Sequence, residues 1–495
     1  MKQYVPAAQS KAEKAIVIGA GIAGLLTARV LSDFYGEVLI IERDEFSLKP
    51  SNRLGTPQAF HPHRMLPRGS MILERYFPDY IEDLLNLGAF PTMKEKMLIV
   101  NEFASFKASS PVKNAACSRA LLEYVLRQRV DQIPKVRFSS NLEVTGLQAS
   151  SDQTRIIGVF TRDCSDQKQE GASTADLVVD TTGSSSKATQ WLESLGFVVP
   201  EPERLHVSLG YSTRYYKIPQ QLEENWTSII SEAQPSKCVS TAMLLRFENN
   251  IAGTLLFSAG GEHYPSTDPE QYQAEINHLP DSRMAEIVKQ LEPVQSPRGY
   301  RTPESVRQHF EKMENWPSGL LVLGDAFCCF DPIHGQGMTV AAIEAETLGG
   351  CLEEERSNPQ PHFERRVLKR MQEAIEPAWW LSSVADLRWK GVEHVYSEPM
   401  KGVVFAQKYL DLYMKQTMKL ATTENNLSLY SEQFMMNALI ISPREIFNSN
   451  VLTLILEDSR SLEAQQLLAE LGETDPHKFQ TRIDAIIPSF AHIFD

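Results

Sequence analysis

Three glycines, Gly19, Gly21 and Gly24, separate the β-branched run Ala15-Ile16-Val17-Ile18 from a helical stretch read from Leu25 to Phe34. A second apolar run, Val38-Leu39-Ile40-Ile41, then closes on Glu42-Arg43. In such a strand, turn, helix, strand unit, Gly-x-Gly-x-x-Gly lets backbone approach a pyrophosphate closely, and the helix N-terminal N–H groups meet its charge. Glu42 ends the second strand, where a carboxylate accepts hydrogen bonds from both ribose hydroxyls of an adenosine.

A second constellation follows some 300 residues later. Leu320-Leu321-Val322-Leu323 reads as a buried strand that delivers Gly324-Asp325 at its carboxyl end. Asp331-Pro332-Ile333-His334-Gly335-Gln336-Gly337-Met338 then precedes a helix from Thr339 onward. Asp325 can accept a ribityl hydroxyl, while the Gly335 to Met338 backbone, at a helix N-terminus, can donate to an electron-rich ring oxygen. Two distant nucleotide-shaped segments imply one long ligand lying across both, and FAD has that length. The histidines nearest these motifs are His61, His63 and His334. A near-neutral pKa suits each to hydrogen-bond substrate or an oxygen species, beside the plainer alternative of a structural role. His334 and His61 are the candidate catalytic side chains.

The elements that must position these residues are legible in outline. Apolar positions at helical spacing run from Ser118 to Val130, and Val136 to Phe138, Leu142 to Leu147 and Ile156 to Thr161 read as short strands of a small sheet. Leu177-Val178-Val179-Asp180 is another buried strand. From about Gln190 to Trp316 the pattern alternates like antiparallel strands, with Glu248-Asn249-Asn250 as a hairpin turn, and beyond Met338 the chain is largely helical. The predicted class is α/β with an α+β insert: a Rossmann-like FAD-binding domain, an interposed antiparallel substrate-binding sheet and a helical C-terminal region. The expected division is 1–190 for the first part of the FAD-binding domain and 191–316 for the sheet. Residues 317–355 are the return segment and 356–495 the helical region.

Composition narrows the function class. The 495 residues carry 49 Lys+Arg against 63 Asp+Glu, a net charge of −14. That balance disfavours a nucleic-acid partner, whose phosphates require clustered cations. The densest basic run, Arg365, Arg366, Lys369 and Arg370, follows several Glu and reads as one charged helix face. Cys117, Cys164, Cys238, Cys328, Cys329 and Cys351 show neither Cys-x-x-Cys spacing nor histidines at zinc-finger distances, so the expectation is reduced thiols with no metal site. Ala15 to Ala28, the longest uncharged stretch near the start, is shorter than the roughly 20 apolar residues of a membrane span. The expected location is cytoplasmic.

Gly324-Asp325-Ala326 with the Asp331-Pro332 loop, paired with the N-terminal Gly-x-Gly-x-x-Gly, resembles the flavoprotein aromatic hydroxylase superfamily of the p-hydroxybenzoate hydroxylase fold. Within it the chain is most similar to the flavin epoxidases of polyether biosynthesis and to squalene epoxidase-like monooxygenases. Arg53-Leu54-Gly55-Thr56-Pro57-Gln58 with His61 and His63, Ser118 to Glu123, Val179 to Gly183, Cys328 to Val340, and Trp379 through Trp389 carry that narrower likeness. The resemblance implies that Glu42, with Arg43 beside it, holds the adenosine ribose. It places Arg53 and Arg119 at the FAD phosphates or ribityl chain, Asp325 on the flavin's polar chain, and Pro332, Gly335, Gly337 and Met338 against the isoalloxazine. A surface or helix-end salt bridge is the plain alternative for either arginine.

The implied activity is monooxygenation. Reduced FAD forms a C4a-hydroperoxide with O2, and one oxygen atom is inserted into a large apolar natural product by epoxidation or hydroxylation. Thr182-Gly183 stands where single-component hydroxylases of this type usually carry Asp-Gly. NAD(P)H is therefore expected to deliver electrons either directly and transiently or through a separate flavin reductase. The alternatives are a flavin-dependent halogenase, for which the Trp-x-Trp-x-Ile-Pro motif is missing and Lys94 and Lys96 are weak candidates, and an isoprenoid-type flavin reductase. A non-catalytic flavin-binding partner protein is a third. Tyr211, Tyr215, Tyr216 and Phe257 are read as core of the sheet. The tail series Trp379, Trp380, Trp389, Phe405, Tyr409, Tyr413, Phe434, Met435 and Met436 is expected to pack over the substrate side.

Overall fold

The computed structural model describes residues 13–490 except 110–112, 166–168, 224–225, 236–239 and 457–460. Cys238 and Val239 therefore lie outside the described residues.

Five short strands, all but the last rich in Val, Ile, Leu and Ala, form a parallel sheet in the order Leu320–Val322, Leu177–Asp180, Lys14–Ile18, Glu37–Ile41 and Val136–Ser139. Continuous apolar strands suit this arrangement because helices cover both faces of a parallel sheet. Ala15, Ile16 and Val17 are completely buried. The carboxyl ends of Lys14–Ile18, Leu177–Asp180 and Leu320–Val322 are adjacent, so Gly19, Thr181 and Gly324 emerge at one edge.

One strand differs from the sequence reading. Val136–Ser139 joins the parallel sheet, with Val38 opposite Val136, rather than the small sheet. The small sheet instead consists of Leu142–Ala149, Ile156–Asp163 and Glu170–Thr174. The helix Arg119–Asp131 directly before Val136 supplies the crossover that a parallel neighbour requires. The glycine-turn helix spans Ile22–Leu31, starting three residues before the expected Leu25.

The largest sheet has eight strands. Leu209–Lys217, Thr241–Arg246 and Ile251–Ser258 form its antiparallel centre, and the hairpin turns at Glu248–Asn250 as expected. Lys96–Val100 and Ser105–Ser109 extend this sheet, so residues lying inside the first 190 contribute to it. Tyr211, Tyr216 and Phe257 are buried, as read from the sequence, and Tyr215 is half-buried.

The helices after Met338 are extensive: Gly337–Ser357, Phe363–Asp386, Val403–Thr423 and several shorter ones. Phe363–Asp386 packs along Gly337–Ser357 and buries Val367, Leu368, Met371 and Ile375, while Arg366 and Arg370 pair with Glu355 and Glu354. The basic run is thus a charged helix face. Its aromatic residues lie elsewhere than expected. Trp379, Trp380, Phe405, Tyr409 and Tyr413 are buried in the same core as the parallel sheet, and only Trp389 joins the cluster of Tyr211, Leu255 and Phe257. Phe434 and Met435 are half-buried. The reason is that the apolar stripe of Phe363–Asp386 faces the helix Gly337–Ser357.

Candidate cofactor site

A cavity of about 520 Å³ opens at the carboxyl edge of the parallel sheet. Its wall includes Gly19, Gly21, Glu42, Arg43, Arg53 and Arg119 from the N-terminal segments, and Asp325, Pro332, Gly335, Gly337 and Met338 from the return segment. The two distant motifs therefore meet around one space. Gly24, His61 and His334 do not line it.

Gly24 acts through packing. A Cβ there would stand 2.0 Å from the Gly19 carbonyl oxygen and 2.8 Å from Thr181 Oγ1, so only glycine lets the helix sit this close to the turn. Thr181 in turn donates from Oγ1 to the Ile18 carbonyl at 2.7 Å. Glu42 Oε2 accepts from Ala20 N at 2.8 Å and Oε1 from Asp44 N at 3.0 Å, which fixes the carboxylate at the cavity wall with further lone pairs available for ribose hydroxyls. Arg53 is largely engaged by Glu123, Asp44 and Glu42, and so forms the back of this wall. Arg119 differs: it lines the cavity beside Gly21, and its buried Nε has no partner within the protein.

At the other end, Asp325 is half-buried, and loss of solvent raises its carboxyl while the Arg119 charge opposes that rise. Gly335 has φ 65°, a left-handed conformation that turns the chain into the helix Gly337–Ser357. The start of that helix presents its free N–H groups to the cavity. Gly324 N is held by the buried carboxylate of Glu344, one turn and more along the same helix.

The histidines divide. His61 is buried; its Nδ1 lies 2.9 Å from Thr213 Oγ1 and its Nε2 has no partner. Burial, reinforced by His63 and Arg298, pushes its pKa down to about 3. His63 lines the cavity, bonds the His61 carbonyl at 2.8 Å, and is pushed down to about 4 by burial and by Arg119. Both are neutral imidazoles at physiological pH. His334 is the opposite: burial opposes its charge, but Asp386 at 2.7 Å raises it to about 9.

The sequence reading missed Asp386, Tyr300, Arg301 and Cys329. The last three line the cavity from strands with no glycine or acid signature. Asp386 lies 52 residues after His334 and only helix packing brings it near. Asp180, noted only within a motif, is a buried organiser: it accepts from Thr182 N, Thr182 Oγ1 and Ser186 Oγ and so shapes the Thr182-Gly183 wall.

These features fit FAD. A glycine turn that a Cβ would fill, a carboxylate with free lone pairs, a cavity arginine whose Nε is unpartnered and a helix N-terminus line one cavity. Among the described residues five free cysteines are present, and no helix is long and apolar enough to cross a membrane.

No family model matches the chain. Protein Rv3254 of Mycobacterium tuberculosis is 28% identical over 404 residues, covering 78% of this chain and 82% of that protein. The flavin-dependent brominase Bmp2 superposes with a TM-score of 0.61 at 14% identity, over 90% of this chain and 99% of the other. The p-nitrophenol 4-monooxygenase PnpA from Pseudomonas putida DLL-E4 does so with 0.58 at 15%, over 86% and 98%. With its parallel sheet, interposed antiparallel sheet and helical tail, this chain shares the fold of the flavin-dependent brominase and the p-nitrophenol monooxygenase.

Proposed function

We propose that the chain is an FAD-dependent monooxygenase that adds one oxygen atom from O2 to a large apolar small molecule, by epoxidation or hydroxylation. The carrying observation is the single cavity in which Glu42, Arg119, Asp325 and the Gly335–Met338 turn converge. Once bound and reduced, FAD supplies the electrons that activate O2. Glu42 and the glycine turn bind the adenosine end, Arg119 meets the pyrophosphate, and the helix starting at Gly337 attracts negative charge on the ring.

An apolar substrate is supported by the cluster of Tyr211, Leu255, Phe257 and Trp389, against which Ile333 of the cofactor loop packs. These residues stand off the cavity wall and form a dry backing for the loop, the low-water surroundings that favour oxygenation of an alkene or arene. His63, held neutral, serves as a hydrogen-bonding group at the cavity rather than as a charge, and His61 stands neutral behind it. The halogenase alternative, which the fold shared with a brominase keeps open, gains nothing from Lys94 and Lys96, both exposed and off the cavity wall.

Electrons come from NAD(P)H, through a separate reductase or by transient contact. Rapid anaerobic reduction of bound FAD by NAD(P)H with the purified chain alone would exclude the two-component arrangement. The central test supplies the purified protein with reduced FAD, O2 and candidate polyenes, terpenoids and aromatics. A mass gain of one oxygen atom is expected; a halide-dependent product, or saturation of a double bond without O2, would overturn the reading.

A further inference from the structure

Three ionisable side chains meet behind the cofactor loop. Asp331, His334 and Asp386 each offer an atom within 4.8 Å of the others. Asp331 and Asp386 are each 1% exposed. Asp331 caps the short turn Pro332–His334, its Oδ1 accepting from Ile333 N at 2.9 Å, and it lines the cofactor cavity. Asp386 ends the long helix Phe363–Asp386 and holds His334 Nε2 at 2.7 Å. Asp331 Oδ2 and Asp386 Oδ2 are both buried and without a partner.

Charge counting decides the protonation. Two buried carboxylates beside one imidazole cannot both be anionic without leaving an uncompensated charge, which costs several kcal/mol. The hydrogen bond between His334 and Asp386 makes those two the ion pair, so the remaining proton belongs to Asp331. A 2.7 Å bond also assigns a proton, not a metal ion, to the space between them. The other ionisable groups facing Asp331 are the Tyr211 hydroxyl and the Cys329 thiol, both held neutral by burial. Burial, followed by the Asp386 charge, raises the Asp331 carboxyl to about 8.

Resting on the FAD reading above, we propose that Asp331 is a catalytic general acid, kept protonated beside the His334–Asp386 pair, that gives its proton to oxygen at the cofactor ring. The carboxyl O–H bond breaks and an O–H bond forms on an oxygen atom derived from O2, whose electrons come from reduced FAD. The resulting Asp331 carboxylate stands as a second anion beside one imidazolium, and that excess negative charge drives it to regain a proton from water. His334 and Asp386 are positioning residues in this scheme, and the single state is one anion, one cation and one neutral acid.

The test uses the FAD-loaded protein and reads the absorption spectrum of bound oxidised FAD from pH 6 to 10, together with the pH dependence of its reduction potential. Wild type should show a spectral transition near pH 8 that Asp331→Asn lacks and His334→Gln displaces. Asn retains the cap to Ile333 N, and Asp331→Ser provides a second capping variant should Asn impair flavin loading. Oxygen-dependent product formation at pH 7 should fall about a hundredfold in the same variants, the range of a lost general acid. A loaded protein with no transition, or one that survives both Asp331 variants, overturns the proposal. So does stoichiometric Mn²⁺ binding that Asp331→Asn abolishes. Failure to bind any flavin would instead overturn the FAD reading itself.

Discussion

Arg53 and Glu123, seventy residues apart in sequence, meet through a bond of 2.8 Å from Nε to Oε1. The same guanidinium reaches Asp44 at 3.0 Å and Glu42 at 3.3 Å, and the side chain is 5% exposed. One buried cation therefore pairs with three carboxylates and ties the loop after the second strand to the helix that begins at Arg119. The orientation of Glu42 at the cavity wall depends on this tie, because without it the carboxylate would face two like charges.

Replacing Arg53 by Met should accordingly cost about 3–5 kcal/mol, the usual penalty for stranding buried charges. FAD retention should fall at least tenfold. Denaturant unfolding and flavin content after gel filtration check both. Unchanged stability would show that the three acids are solvated or repack, and that the cluster carries little.

Gly24 and Gly350 make a paired prediction. Gly24→Ala would force a Cβ to 2.0 Å from the Gly19 carbonyl, so the turn must open and both stability and FAD affinity should drop. Gly350 lies on the exposed face of the helix Gly337–Ser357 with nothing within 4 Å of its would-be Cβ. There the same substitution should stabilise by up to about 1 kcal/mol through helix propensity. Thermal melts of the two variants, with bound-flavin absorbance, separate the cases.

The contrast between these glycines shows what was legible beforehand. Gly19, Gly21 and Gly24 stand in a spacing whose chemistry is local, so strand, turn and helix could be read directly, as could the Asp325 segment. Val136–Ser139 was misplaced because four alternating residues name no partner strand; the choice is made by the crossover helix. Asp386 was invisible for the same kind of reason. Its contact with His334 arises from helix packing, which no spacing within one segment encodes. The tail aromatics were identifiable as buried, but the face they cover is set by the register of Phe363–Asp386 on Gly337–Ser357.

A second buried network predicts a pH window. Glu203 is bonded by His394 at 2.8 Å and flanked by His309 at 3.5 Å and Arg307 at 3.6 Å, while Glu311 and Glu376 complete the pairs with His309 and Arg307. Burial would raise Glu203, but the adjacent His309, the bond from His394 and the Arg307 charge hold it well below its ordinary 4.5. That contribution is complete above 4.5 and is lost as the pH falls toward the folded value. Burial opposes the charge of His309, yet Glu203 and Glu311 raise it above its ordinary 6.5. Its contribution is complete below 6.5 and fades as the pH rises through the folded value. The stability difference between wild type and Glu203→Gln should therefore be largest between about pH 5 and 6.5 and shrink on either side. Melting temperatures across pH 3 to 9 test this, and a flat difference would show that packing alone accounts for Glu203.

Trp380 provides the last prediction, about how the tail is joined to the rest. Its ring packs edge-on against Phe447 at 5.3 Å and Phe490 at 5.4 Å, and its Nε1 donates to the Lys401 carbonyl at 2.9 Å. Because it lies in the same core as the parallel sheet, Trp380→Ala should remove about 3–5 kcal/mol from the whole molecule and not from the tail alone. Far-ultraviolet circular dichroism and flavin fluorescence should then report one coincident, lowered transition. If the tail signal melts first while flavin stays bound, the tail is a separate cooperative unit, and its packing against the cofactor helix does not stabilise the site. Coincident melting would mean that Asp386, at the end of the same helix, is held in place beside His334 by the aromatic core one to two turns away.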